Sequence, residues 1–126
     1  MMSTTAFFSV NPDKLAHFYD SVLNGKLSTN DDVSTIKGED FEVLILKVPE
    51  DIAKEIVILS PPEAREEVAI KPVFTVPALR EALQSVVEAG GVVTTREFTY
   101  NEFDHADVLD TEGNVIQLKS RSLAKD

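Results

Sequence analysis

The 126-residue chain predicts an α+β fold made of two βαβββ modules in one domain, 1–126. Three observations carry this. The first is an internal repeat: Phe8-Ser9-Val10 matches Phe74-Thr75-Val76, and Leu15, Phe18, Tyr19 and Val22 match Leu79, Ala82, Leu83 and Val86. The offset is about 65 residues, half the chain, which makes a two-copy unit rather than a solenoid. The second is that both amphipathic stretches end in glycine, at Gly25 and at Gly90-Gly91. The third is a closing hairpin, Asp107 to Leu118, around Asp110-Thr111-Glu112-Gly113-Asn114. Asp first and Gly late suit a type I turn closed by a left-handed glycine. The modules run over about 4–60 and 70–120.

Each element has its own justification. Thr5 to Val10 alternates weakly, with Ala6, Phe8 and Val10 on one face and Thr5, Phe7 and Ser9 on the other. Asn11-Pro12-Asp13 is a helix start: Asn caps, Pro suits the first helical position, and Asp complements the positive helix end. Leu15, Phe18, Tyr19, Val22 and Leu23 then form one apolar stripe, with His17 and Asp20 off it and solvated, and Gly25 ends the helix. In the polar Lys26 to Asp40, Leu27 and Ile36 mark a short strand and a turn. Phe41 to Val48 is a strand, Pro49-Glu50-Asp51 a turn, and Glu55 to Ser60 another apolar strand stopped by Pro61-Pro62. Glu63 to Glu67 is a charged connector. Lys71 to Val76 repeats the first strand. Pro77 opens a second helix with the stripe Leu79, Ala82, Leu83, Val86 and Val87. Val92 to Thr95 is a strand and Arg96 to Asp104 a loop. His105 to Leu109 and Asn114 to Lys119 are the closing strands, and Arg121 to Asp126 a frayed tail.

Composition narrows the function classes. The absence of cysteine excludes disulfides, thiolate catalysis and Cys-based metal sites. Apolar runs such as Val43–Leu46 are too short to span a bilayer, and the N-terminus has no basic region before its apolar residues, so a cytoplasmic protein is expected. A net charge of −10 disfavours nucleic acid and anionic membrane as partners and suits a cationic ligand if focused in a cleft. There is no Gly-x-Ser-x-Gly, no phosphate-cradling Gly loop and no dinucleotide fingerprint.

Three stretches carry a family resemblance: Val10-Asn11-Pro12-Asp13-Lys14-Leu15-Ala16-His17-Phe18-Tyr19, the series Val76, Leu83, Ala89-Gly90-Gly91, and Asp110 to Leu118. The last is similar to the closing Asp-Pro-x-Gly-Asn-x-Ile-Glu-Leu of the vicinal oxygen chelate superfamily (glyoxalase I, extradiol dioxygenases, fosfomycin-resistance enzymes, bleomycin-binding proteins), with Thr111 where Pro is usual. The resemblance implies two modules whose mixed sheets curl around a shared cleft, often in a homodimer. It implies four metal-ligand positions, which fall here on Thr5, Ile58, Lys71 and Gln117. Ile58 has no donor, Lys71 is cationic, Thr5 is a weak ligand, and Gln117 alone is plausible. A metal site of the family type and any other cofactor are therefore not expected.

Period-two alternation gives the cleft-facing positions: Thr5, Phe7 and Ser9; Ile56, Ile58 and Ser60; Lys71, Val73 and Thr75; His105, Asp107, Leu109, Val115, Gln117 and Lys119. Lys71 either takes the place of the metal charge, held by Asp107 or by a ligand carboxylate, or snorkels to solvent. His105 and Asp107, two apart on one face, form an acid–base pair, bind a cation, or sit idle at a solvated strand end. Tyr100 and Phe103 form an aromatic flap or part of a dimer interface, and Gln117 orients a ligand amide or carbonyl. The expected function is a metal-free small-molecule-binding protein of the bleomycin-resistance type, sequestering a cationic or aromatic compound. The alternatives are a metal-free enzyme using Lys71, His105 and Asp107, a lyase, isomerase or dioxygenase with an atypical metal set in the same cleft, and a structural dimer module whose cleft has decayed.

Overall fold

The computed structural model describes residues 2–30, 33–65 and 69–122. Eleven elements follow in order: β1 (Ser3–Ser9), α1 (Pro12–Leu23), β2 (Lys26–Asn30), β3 (Val33–Lys37), β4 (Phe41–Lys47), α2 (Glu50–Ala53), β5 (Val73–Thr75), α3 (Leu79–Glu88), β6 (Val92–Tyr100), β7 (Phe103–Leu109) and β8 (Val115–Arg121). They form two four-stranded mixed sheets of the same topology, β1-β4-β3-β2 and β5-β8-β7-β6. In each, the first strand runs parallel to the last, as a crossover through a helix requires. The repeat in the sequence is thus a repeat in topology.

The first helix forms as its sequence dictates. The Asn11 side chain accepts from Lys14 N, Pro12 occupies the first turn, and Leu15, Phe18, Tyr19, Val22 and Leu23 are all buried. Burying each such side chain contributes about 1.5–3 kcal/mol. His17 lies exposed and Asp20 half-buried. The C-cap is Asn24 in the left-handed region (φ 56°), one residue before the expected Gly25, because Asn tolerates that conformation. The second helix ends as expected, at Gly90 (φ +94°). It begins at Leu79 rather than Pro77, and its cap is borrowed: Leu79 N donates to Ser120 Oγ on β8 at 3.1 Å. Of its stripe, Ala82 and Val86 are buried and Val87 is exposed.

The expected turn at Pro49-Glu50-Asp51 opens the short helix α2, and three larger assignments differ from the sequence expectation. Glu55 to Ser60 is not a strand; the third strand after α1 is β4, which follows the β2–β3 hairpin directly. Residues 54–65 instead form an irregular connector, and the remainder of the Glu63 to Glu67 segment lies outside the described residues, as do residues 123–126 of the tail. Arg96 to Asp104 is not a loop. β6 continues through it past a bulge between Val93 and Glu97. It joins β7 by a two-residue turn, Asn101-Glu102, with φ of 55° and 69°. Positive φ at both positions is the primed turn that matches strand twist.

The third difference is a one-residue slip in the repeat. Phe7, not Phe8, is the counterpart of Phe74: Phe7 pairs with Ile45 and Phe74 with Leu118, and all four are buried. Adjacent phenylalanines offer an aromatic to either face, and a shift of one residue exchanges the faces of a strand. Phe7 therefore stacks on Tyr19 at 4.8 Å, while Phe8 stands 64% exposed on the other side. Tyr19 also meets Phe74 at 6.2 Å, and Phe41 meets Phe74 at 6.1 Å. One core thus joins the helix-bearing sides of both modules, and α1 packs on α3. Among the described residues no helix is long and apolar enough to cross a membrane.

Candidate functional site

The β7–β8 hairpin positions two polar clusters. At its tip, the turn has the expected geometry. Gly113 is at φ +84° and donates its N–H to Asp110 O at 3.1 Å. Asp110 ties the turn together through its carboxylate: Oδ1 accepts from Glu112 N (2.9 Å) and Asn114 N (3.0 Å), and Oδ2 from Asn114 Nδ2 (2.8 Å). Asp110 Oδ2 also accepts from the Tyr19 hydroxyl of the first module at 2.7 Å. Burial pushes Asp110 above the usual carboxylate range, opposed by those hydrogen bonds. Burial, then the Asp110 charge, raises Tyr19 well above its ordinary value. Glu112 reaches the start of α1, accepting from Ser9 Oγ, Val10 N (3.2 Å) and Asn11 N (3.1 Å). A carboxylate is well placed there because the first N–H groups of a helix lack partners and carry its positive end. This cluster is a clamp between modules.

The second cluster lies along the strands, on the sheet face turned away from α3. Asp107 pairs with Gln117 across β7 and β8, and His105 with Lys119. Lys71, ahead of β5, donates to Asp107 Oδ2 at 2.7 Å. Gln117 Nε2 donates to Asp107 Oδ1 at 3.0 Å, which turns the amide carbonyl toward His105 Nδ1 at 2.9 Å. That orientation puts the hydrogen on Nδ1. His105 Nε2 lies 3.4 Å from the Tyr100 carbonyl oxygen, and Phe98 stacks parallel on the His105 ring at 4.6 Å. Arg96 Nε stands 3.8 Å from Asp107 Oδ2. The result is an ordered polar chain, Lys71–Asp107–Gln117–His105, buried from Asp107 to His105 beneath aromatic and cationic side chains.

The structure brings together Lys71, His105, Asp107 and Gln117, and places Val73, Tyr100 and Phe103 around them. Lys71 is held by Asp107 at 2.7 Å, with its side chain 38% exposed. His105 and Asp107 are not a direct pair; Gln117 stands between them. Tyr100 and Phe103 are strand residues flanking the Asn101-Glu102 turn rather than part of a flap. Six expected positions fall elsewhere, Ile56 and Ser60 among them, in the connector. Phe7 and Ser9 are interior residues of the core and the clamp, and Thr5 shares their face, all through the one-residue slip. Ile58 lies in the connector and belongs to no strand. Sequence reasoning missed Arg96 and Phe98, because both fell in the presumed loop. The signal that would have found them is the alternation Glu97-Phe98-Thr99-Tyr100, whose period of two also carries Arg96 to the face of Phe98.

With the slip corrected, the residues matching Lys71, Gln117 and Asp107 in the first sheet are Thr4, Leu44 and Thr35. Neither set fits a divalent ion. Thr4 and Thr35 are weak donors and Leu44 has none. In the second sheet an ammonium already lies against the one carboxylate, and both ends of the Gln117 amide are engaged. Among the described residues no three His, Asp or Glu side chains converge. A cationic ligand, expected from the net charge, would meet Lys71, Arg96 and Lys119 on this face. A groove of about 580 Å³ runs between α3 and β6, lined by Leu79, Leu83, Glu97 and also by Phe98, His105 and Arg121.

No protein-family model and no curated protein matches the chain. Solved structures do match it over nearly its whole length. A glyoxalase/bleomycin resistance protein from Albidiferax ferrireducens is 13% identical with a TM-score of 0.69, covering 96% of this chain and 98% of that one. A glyoxalase/bleomycin resistance protein/dioxygenase family enzyme from Burkholderia phytofirmans is 14% identical with a TM-score of 0.68, covering 94% and 96%. The fosfomycin resistance protein FosX from Listeria monocytogenes is 11% identical with a TM-score of 0.67, covering 98% and 94%. At these identities the likeness establishes the fold: the chain has the glyoxalase/bleomycin resistance fold.

Proposed function

We propose that the chain is a metal-free small-molecule-binding protein whose ligand lies on the open face of the second sheet. The observation that carries this is the pairing of Asp107: one oxygen is held by the Lys71 ammonium and the other by the Gln117 amide. A metal at this carboxylate would lie against the Lys71 ammonium, which repels it and already neutralises Asp107 locally. Binding is favoured over proton transfer by the commitments of His105. Its Nδ1 donates to Gln117 Oε1 and its buried ring lies flat beneath Phe98, so an incoming molecule meets the phenyl ring before it meets the imidazole. The surroundings, aromatic rings and aliphatic side chains about a few fixed polar groups, have the usual composition of a small-molecule site.

The test is thermal unfolding of chelator-treated protein. Added singly at micromolar concentration, Mn, Ni, Zn, Co and Fe(II) should leave the midpoint unmoved. Small organic molecules that bind should raise it by mass action, worth about 2.7 kcal/mol at a hundredfold excess over Kd. That rise should disappear in Phe98→Ser. A clear rise with one metal would sink the metal-free reading.

A further inference from the structure

We infer that the open face of the second sheet takes a small aromatic anion, of the aromatic carboxylate class; this rests on the small-molecule reading above. The charge of this face runs against that of the chain. The sequence has 12 basic and 22 acidic residues, for a net charge of −10. Yet Lys71, Arg96, Lys119 and Arg121 all stand on this face, and the carboxylates paired with them are Asp107, beneath, and Glu102, at the turn. A local field of that sign inside an acidic protein selects anions and repels cations.

Two of the four cations are already committed. Lys71 holds Asp107 at 2.7 Å, and Arg121 reaches Glu102 at 3.3 Å. Arg96 is different. Its Nε, 3.8 Å from Asp107, is too far for a hydrogen bond, and its side chain is 77% exposed. The guanidinium is therefore free to turn its fork of donors to a carboxylate, the geometry for which Arg is best suited. Lys119, whose ammonium lies 4.6 Å from the centre of the Phe103 ring, adds a second positive head.

The aromatic half of the inference comes from an unfinished stack. Phe98 covers the His105 ring at 4.6 Å and an interplanar angle of 4°. Phe98 lies on β6, the edge strand of its sheet, and is 44% exposed. One ring face is thus occupied by His105, and the other, at the sheet edge, is open for a further ring. Arg96 is two residues along the same strand, roughly 7 Å away. A molecule whose ring extends the His105–Phe98 stack can set its carboxylate on Arg96. Such a head-to-ring distance suits a carboxylate borne directly on, or one carbon from, a fused or substituted arene.

The experiment is an NMR titration of the full chain at low salt with three probes of one shape: 2-naphthoate, 2-naphthylmethylammonium and 2-naphthylmethanol. Naphthoate should shift resonances of Arg96, Phe98 and His105 and bind at least about tenfold tighter than the alcohol, a difference of roughly 1.4 kcal/mol. The ammonium should not bind. Arg96→Gln, at an exposed position where folding is not at risk, should erase the preference for naphthoate over the alcohol. If the ammonium or the alcohol binds as well as naphthoate, or if Arg96→Gln keeps the preference, the inference is overturned while the small-molecule reading stands. If none of the three perturbs the face, both fail together.

Discussion

The β7–β8 hairpin builds two polar clusters a few residues of ribbon apart, and they are organised in opposite ways. At the turn, Asp110 and Glu112 reach into the other module, to Tyr19 and to Ser9. Tyr19 and Ser9 are themselves fully buried, and the chemistry of the cluster is spent on holding the two halves together. Along the strands, Asp107, Gln117 and His105 are supported from within their own sheet and roofed by Lys71, Arg96 and Phe98, whose outer sides meet solvent. Burial alone does not separate structural from functional polar groups. What separates them is whether the last side chain in each network points into the protein or out of it.

Three substitutions sharpen that contrast. The largest effect belongs to the turn. In Gly113→Ala the new Cβ would lie 2.2 Å from the Glu63 carbonyl oxygen, in a backbone with φ +84°. A left-handed non-glycine costs about 1–3 kcal/mol before the clash is counted, so a loss of about 3 kcal/mol or more is expected in urea unfolding. Loss of less than 1 kcal/mol would mean that the connector does not hold the turn.

Tyr19→Phe comes next. It strips a hydrogen bond from a buried carboxylate, worth about 1.5–3 kcal/mol. It also carries a pH signature. Because burial raises the native phenol above its ordinary value near 10, its contribution is complete below that pH. The contribution falls as pH rises toward the native value, since the unfolded chain ionises first. Wild type should therefore lose stability on an alkaline limb that is reduced in Tyr19→Phe, as followed by denaturant midpoints across pH 8 to 11. Parallel limbs would remove Tyr19 from the account. Ligand binding at neutral pH should be unchanged in this variant.

The smallest stability effect is expected on the open face. Lys71→Met removes an ion pair whose cation is 38% exposed and whose carboxylate has Gln117 and Arg96 nearby. Solvent screening limits its worth to about 1 kcal/mol or less. Binding of an anionic probe should nonetheless weaken severalfold, because the field over Asp107 loses a positive charge. A variant that unfolds like the turn mutants would place Lys71 with the clamp and dissolve the contrast.

Much of this was legible in the residues. The α1 stripe, the Asn11 cap, the Gly90 terminator and the Asp110–Asn114 turn are local: each depends on side chains within a few positions of one another, whose preferences hold in any context. From the repeat the sequence also determined the α+β class with two modules. Alternation placed Lys71, His105, Asp107 and Gln117 on one face of the second sheet, because hydrophobic residues between them left no other arrangement.

Tertiary structure alone decided the rest. Phe7-Phe8 satisfies either face, so only the packing of Tyr19 and Phe74 chose which ring enters the core, and with it the fate of Thr5, Phe7 and Ser9. Glu55 to Ser60 is as apolar as a strand, but β4 already occupies the place beside β1, and a segment without a partner for its backbone is no strand. Arg96 and Phe98 became site residues only when β6 was seen to run past its bulge and lie against β7. In each case the sequence supplied the preference of a segment, and the neighbour that could satisfy it was far along the chain. Long-range pairing, the part of folding that no local window contains, made the choice.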